Sequence, residues 1–381
     1  MLIYILLILL IFFSPIIEYT RHSAGWYSFI VILSMIFYCF GYMTGSDWRS
    51  YEELYQNVTW EGLVSPSRYL EPGYYLAMLL FKALGIDFWT FFIFLKCIIF
   101  LFFTNLIRKY SGKYFYYTYA VFLGISGLYL FIDNPMRNLI AIVIFYFGLK
   151  NAVNKHFVHF LGWVLLASTI HFSAITLIPV YYLFAYRLKN VYLLYVFVII
   201  NSILSIKKDW VDNFILNSII QIPIFGLKVE EYFVSESIYS LGKIFSPKML
   251  IYSCIFILFI KKRKEIEKRY NGKLLFDAAI FFLLFYRISL SYNILFRFNL
   301  YFEVFFIIAI CILINYTPMN IRKYYVLFLL SFTLYSMNST LTTTTVYVPY
   351  SNYFEYIFSP KPSFSYRNSY NEINSPYRLT K

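Results

Sequence analysis

Residues 131–150 read FIDNPMRNLIAIVIFYFGLK. After Arg137 no charged side chain occurs until Lys150. In a soluble helix such an arginine is ordinary. In a bilayer it costs roughly 2.5–3.5 kcal/mol on insertion scales at the centre of a span, and less near an end. The meaning of Arg137 therefore depends on the setting of the rest of the chain.

Composition decides that setting. The 381 residues are 60% hydrophobic and 14% charged, with mean hydropathy +0.64. Soluble domains carry about 25% charged residues, so the chain reads as an all-α, polytopic membrane protein. Aromatic residues make up 23%, more than interfacial belts alone require, so many must pack between helices or line a cavity. The net charge of +14 fits loop charge that sets orientation, and no soluble basic surface for nucleic acid is evident. Cys39, Cys97, Cys254 and Cys311 all fall in apolar runs, without CxxC or metal-ligand spacing. Residues 1–17 lack an early Lys or Arg and read as a retained span, not a signal peptide.

A span needs about 20 apolar residues. Spans are expected at 1–17, 24–43, 88–107, 114–132, 135–150, 157–170, 171–186, 191–206, 247–260, 274–291, 297–316 and 324–338. Residues 72–84 are too short for a crossing and read as a re-entrant or interfacial helix. This makes 1–338 a single helical membrane domain of about twelve spans, followed by an external tail at 339–381.

The run KKRKEIEKR at 261–269 is expected to be cytoplasmic. The same orientation places RKYSGK (108–113), KNAVNKH (150–156), RLKN (187–190) and IRK (321–323) on that side. The external side then holds 44–71, the larger loop 207–246, expected to lie partly on the membrane surface, and the tail. The aromatic stretch TTTTVYVPYSNYFEYIF is expected to fold back on the spans, and the residues from 361 to be polar and loose.

Arg137 then lies at the outer end of its span, against the bias the loops obey. Arg287 in LLFYRISLSY and Arg297 in ILFRFNLYF sit at the outer ends of theirs. His171 occupies an outer turn, and Asp47 and Glu71 bracket the first external loop, which also holds Arg49 and Arg68. Ionisable groups from distant segments thus gather at one level. Guanidinium groups bind phosphate oxygens bidentately and stay charged at every relevant pH. Three of them beside apolar spans suggest a lipid-linked phosphate or diphosphate as ligand. The bland alternatives are snorkelling arginines and bundle-closing ion pairs. Asp47 could cap a turn, Glu71 before Pro72 could sit in a first helical turn, and His171 could be a packing group, although a reference pKa of about 6.5 suits histidine to proton transfer.

The short motifs GSDWRSY (45–51), EPGYY (71–75), NPMRNLIAI (134–142), IHFSAITLIP (170–179), RFNLYF (297–302) and VPYSNYF (348–354) resemble, in this order, the EpsG family of Wzy-type polysaccharide polymerases. The resemblance runs from about residue 40 to 355. It implies a bacterial inner-membrane enzyme, similar in architecture to the C-type glycosyltransferases and O-antigen ligases, with its active site facing the periplasm. Its substrate would be an undecaprenyl-diphosphate-linked oligosaccharide repeat unit, and its product O-antigen, capsule or exopolysaccharide. A chain-length regulator and a flippase are implied as partners, and no cofactor or metal. On this reading Arg137 and Arg297 hold the diphosphate with Arg287 in support. Asp47, then His171, then Glu71 are the candidate bases, and Trp48, Tyr51 and Tyr74 could stack on sugar faces. The alternatives are a lipid-linked oligosaccharide flippase, an O-antigen ligase or other C-type glycosyltransferase, and an acyltransferase or structural membrane protein.

Overall fold

The computed structural model describes residues 1–21, 24–64, 70–206, 247–292 and 295–376. The expected surface loop 207–246 and Arg68 lie outside these. The described residues are mostly helical and form no strand, with one isolated β-bridge between Gly41 and Asn352. Four stretches are long and apolar enough to cross a membrane: Phe88–Asp133, Met136–Val153, Gly272–Ser291 and Phe296–Tyr316. Shorter apolar helices include Leu2–Ile17, Gly25–Cys39, Phe157–Ile170 and Asn190–Ser205. This is the helix content of a polytopic membrane protein.

The chain divides into two compact units. The first comprises Met1–Ile144, Leu165–Phe172 and Cys311–Lys381. Its helices are α1 (Leu2–Arg21), α2 (Ala24–Cys39), α3 (Trp48–Asn57), α4 (Trp60–Val64), α5 (Pro72–Ala83), α6 (Phe88–Ser111) and α7 (Phe115–Phe122). A π-helical segment, Leu123–Asp133, continues α7. α1 packs on α7, and α2 on α6. The 46 residues of Phe88–Asp133 are not one rod. Gly112 has φ 56°, and the chain turns back there, so that Phe103 of α6 stacks on Phe122 of α7. This turn separates the two expected spans at 88–107 and 114–132. The 12 residues of α5 span about 18 Å at 1.5 Å per residue, short of a hydrocarbon core of about 30 Å.

α8 (Met136–Val153) begins beside the site and α9 (Phe157–Ile170) ends beside it. The tail does fold back on the first helices. Tyr4 donates to the Tyr347 carbonyl at 2.7 Å and Tyr350 to the Phe37 carbonyl at 2.8 Å, and the Tyr353 N–H donates to Phe40 at 2.7 Å. One expectation for the tail fails. The described residues beyond 361 are not loose: Phe364–Asn374 is a helix, capped by Ser363 and held by a buried ion pair between Arg367 and Glu52.

The second unit comprises Phe145–Val164 and Ser173–Ile310. It holds α10 (Val180–Ala185), α11 (Asn190–Ile206), α12 (Pro247–Glu267), α13 (Gly272–Ser291) and most of α14 (Phe296–Ile312). α13 packs against α10, α11 and α12, and aromatic pairs such as Phe281–Phe302 and Phe282–Phe306 fix α14 on it. The expected span at 171–186 is corrected here. A 3₁₀ segment, Phe172–Leu177, precedes Ile178-Pro179 and the six-residue α10. Proline lacks the N–H that a continuing helix needs, so the two pieces do not join. A further long helix among the described residues is α15 (Met319–Thr343), in the first unit, where it packs on the π-helical segment. The tail helix Phe364–Asn374 is α16.

Candidate functional site

The first unit builds its site from four separate stretches of chain. The π-helix ends at Asp133, and Asn134 takes a left-handed conformation, φ 67°, which asparagine tolerates better than most residues. Pro135 follows, and Arg137 comes up in the first turn of α8. Glu71 stands at the N-cap of α5, with Pro72 at the first helical position. Its carboxylate makes no capping bond. It turns instead to Arg137.

Arg137 Nη1 lies 2.7 Å from Glu71 Oε2. The other carboxylate oxygen, Oε1, accepts the Phe172 N–H at 3.1 Å, and His171 Nδ1 lies 3.4 Å from it. Arg137 Nε donates to the Tyr51 hydroxyl at 3.4 Å. Nη2 has no hydrogen-bond partner among the described residues, and the side chain keeps 24% of its surface exposed. The guanidinium is therefore anchored along one edge and open along the other. Burial alone would raise the Glu71 pKa. The His171 contact, the Arg137 charge and the Phe172 N–H outweigh it and bring the value down to about 2. Burial pushes the Tyr51 phenol up, with the Arg137 charge pulling the other way.

Two glycines let these segments meet. Gly45 has φ +81°, and a Cβ there would lie 2.1 Å from the Ile132 carbonyl oxygen. A Cβ on Gly73 would lie 2.7 Å from Ile170 and 2.9 Å from the Thr169 backbone. The loop of Gly45 is tied down by Asp133, whose Oδ1 accepts the Ser46 N–H at 2.7 Å and the Ser46 hydroxyl at 2.6 Å. Asp47, next in sequence, is half-buried, makes no capping bond, and accepts from Ser46 Oγ at 3.4 Å.

Glu71, Arg137 and His171 thus meet directly, and Asp47 belongs to the loop that carries Tyr51. Arg287 and Arg297 belong to the second unit; Arg287 is buried in the last turns of α13 and Arg297 is half-buried at the start of α14. The aromatic residues do not form an open stacking surface. Trp48 is 1% exposed and packs on Trp89, Tyr51 lies against Tyr74 and Phe92, and Tyr74 is fully buried. They pack among other rings, and the Arg137 guanidinium lies 5.9 Å from the Tyr51 ring centre. Asp133 and Ser46 are site residues that the motif reading passed over, although Asp133 directly precedes NPMRNLIAI. So is the ion pair between Arg367 of α16 and Glu52 of α3, 2.6 Å long and buried on both sides. The Arg367 guanidinium also lies 5.5 Å from the Trp48 ring centre. Among the described residues no group of three or more His, Cys, Asp or Glu could hold a metal ion.

The family model described as EpsG family matches residues 25–358, most of the chain. The chain belongs to the EpsG family. That family is Wzy-type polymerase-like, so an EpsG-family chain is a membrane protein with a polysaccharide polymerase-like function. The matched region contains Asp47, Glu71, Arg137 and His171 and stops short of α16. No curated protein and no solved structure matches this EpsG-family chain.

Proposed function

We propose that this EpsG-family protein is a glycosyltransferase that joins undecaprenyl-diphosphate-linked oligosaccharide repeat units into O-antigen, capsule or exopolysaccharide. On this reading it sits in the bacterial inner membrane with its site facing the periplasm, beside a flippase and a chain-length regulator. The observation that carries the proposal is a half-open guanidinium at the end of an apolar helix, held by Glu71 and Tyr51.

The chemistry follows from that geometry. The bond between the anomeric carbon and the diphosphate oxygen breaks, an acceptor hydroxyl attacks the carbon, and the diphosphate departs with its charge. Arg137 stabilises that charge from a fixed position, at no reorganisation cost during the reaction. The lipid tail stays in the hydrocarbon while the diphosphate stands at the interface. We extend the phosphate-binding role to Arg297 and Arg287 on chemical grounds alone, as guanidinium groups at span ends. A metal is not required for this role.

The acceptor hydroxyl must lose its proton. A carboxylate with a pKa of about 2 is a weak base near neutral pH, so Glu71 acts as the orienting partner of Arg137. Asp47 and His171 remain the candidates for the base, in that order. Purified protein in liposomes with a defined lipid-diphosphate repeat unit, with and without chelator, tests the reading. Polymer in both conditions supports it. Movement of intact repeat units between leaflets without polymer would indicate a flippase instead.

A further inference from the structure

The second unit carries a pocket that the polymerase reading does not use. It has a volume of about 470 Å³ and is lined by Arg187, Leu188, Lys189, Asn190, Ile260, Lys261, Arg263 and Lys264. These residues come from the turn between α10 and α11 and from the last turns of α12. By loop charge this is the cytoplasmic end of the spans.

Five of the lining residues are cationic, and the acids nearby are already engaged. Glu267 takes both Arg187 and the Arg263 Nε, the latter at 2.7 Å. Glu265 pairs with Lys262 at 3.2 Å, and Asp277 with Lys273 at 2.6 Å. No acid among the described residues pairs with Lys189, Lys261 or Lys264. Exposed lysines alone would be ordinary loop charge. Arg263 makes this a built site. It is 5% exposed, its Nη1 donates to the Leu188 carbonyl at 2.6 Å and to Asn190 Oδ1 at 2.8 Å, and its plane lies 4.6 Å from the Phe276 ring centre. Its Nη2 is buried with no hydrogen-bond partner. Leaving such a donor unsatisfied costs about 1–3 kcal/mol, more for a charged group. An anionic oxygen entering the pocket would complete it.

The surroundings say which anion. α11 leaves this pocket with Val191, Leu194 and Val198 exposed on its surface. A phosphate ester with hydrocarbon attached matches both features, since basic pockets at helix ends recognise anionic lipid headgroups. We propose that this pocket binds the phosphodiester of an anionic phospholipid, the headgroup among Arg187, Lys189, Lys261 and Lys264 and the acyl chains along the exposed row of α11. The bound lipid bridges the α10–α11 turn and the end of α12, far along the chain from the Arg137 motif.

The test uses the full-length protein in mild detergent, with bound lipid read by native mass spectrometry. Phosphatidylglycerol and diphosphatidylglycerol are titrated beside phosphatidylcholine of the same chain length. The anionic lipids bind, and Lys261→Gln/Lys264→Gln weakens them roughly 30-fold, from the effect of two basic residues near an anionic group. Both lysines are exposed, so the variant melts like the parent. Lys109→Gln/Lys113→Gln, which removes the same charge from residues that do not line the pocket, leaves binding within about twofold, because an exposed charge without direct contact is screened by salt. Equal binding of phosphatidylcholine, or equal loss in the two double variants, overturns the proposal. Displacement of the lipid by millimolar inorganic phosphate overturns the lipid as ligand and assigns the pocket to a soluble phosphate.

Discussion

Glu71 and Arg137, 66 positions apart in the chain, meet at 2.7 Å. The carboxylate holds one edge of the guanidinium and leaves the other open. Removing the carboxylate's charge should therefore misplace the arginine without abolishing the base. We expect Glu71→Gln to lower polymerisation about tenfold to a hundredfold, the range for a lost positioning contact near the reacting atoms. The shape of its pH–rate profile between about pH 5 and 9 should match the parent's, because a group titrating near 2 contributes no limb there. A lost limb in the variant would make Glu71 the base.

The same carboxylate links stability to acid. Its folded pKa of about 2 is below the ordinary 4.5. Its contribution is fully present above about pH 4.5 and is lost as pH falls toward 2. Acid unfolding followed by tryptophan fluorescence should show a shallower loss in Glu71→Gln than in the parent over that window, and parallel curves above it.

Gly45 tests the loop that brings Tyr51 to Arg137. With φ +81° and the Ile132 carbonyl 2.1 Å from an added Cβ, alanine has no room. The left-handed conformation alone costs about 1–2 kcal/mol for a non-glycine residue. Gly45→Ala should lower both the melting temperature and polymer yield. Gly162→Ala, in a helix with nothing within 4 Å, should melt at the parent temperature or slightly above. A normal Gly45→Ala would show that the loop is not held as described.

Part of the charged site was legible in the sequence because ionisable residues are conspicuous against apolar spans. Arg137, Glu71 and His171 stood out for that reason, and they do meet. Asp133 did not, since its partner Ser46 is a common residue and only folding brings the two together. Trp48, Tyr51 and Tyr74 suited either a sugar platform or a core, and composition cannot separate those roles when 23% of residues are aromatic. The tail misled most. Residues 364–374 are polar, and the burial of Arg367 depends on Glu52, 315 positions away. The span at 171–186 failed at Ile178-Pro179, where apolar composition hid the break.

That tail pair carries its own prediction. Arg367 and Glu52 are 9% and 7% exposed. Breaking a buried pair by removing one partner costs about 3–5 kcal/mol. Glu52→Ala and Arg367→Ala should each lower the melting temperature, and the double variant should lose much less than the sum. Additive losses would mean that the two residues act independently.

The central claim is that the Arg137 guanidinium stabilises the departing diphosphate, and polymer synthesis in liposomes measures it most directly. Arg137→Ala and Arg137→Lys are compared with the parent on a lipid-diphosphate repeat unit, after each is shown to be folded. The account predicts that Arg137→Ala leaves single repeat units on the carrier, a fall of at least about a hundredfold. Arg137→Lys should stay well below the parent, because an ammonium keeps the charge but loses the planar fork. A parental ladder of chain lengths from folded Arg137→Ala would contradict the account.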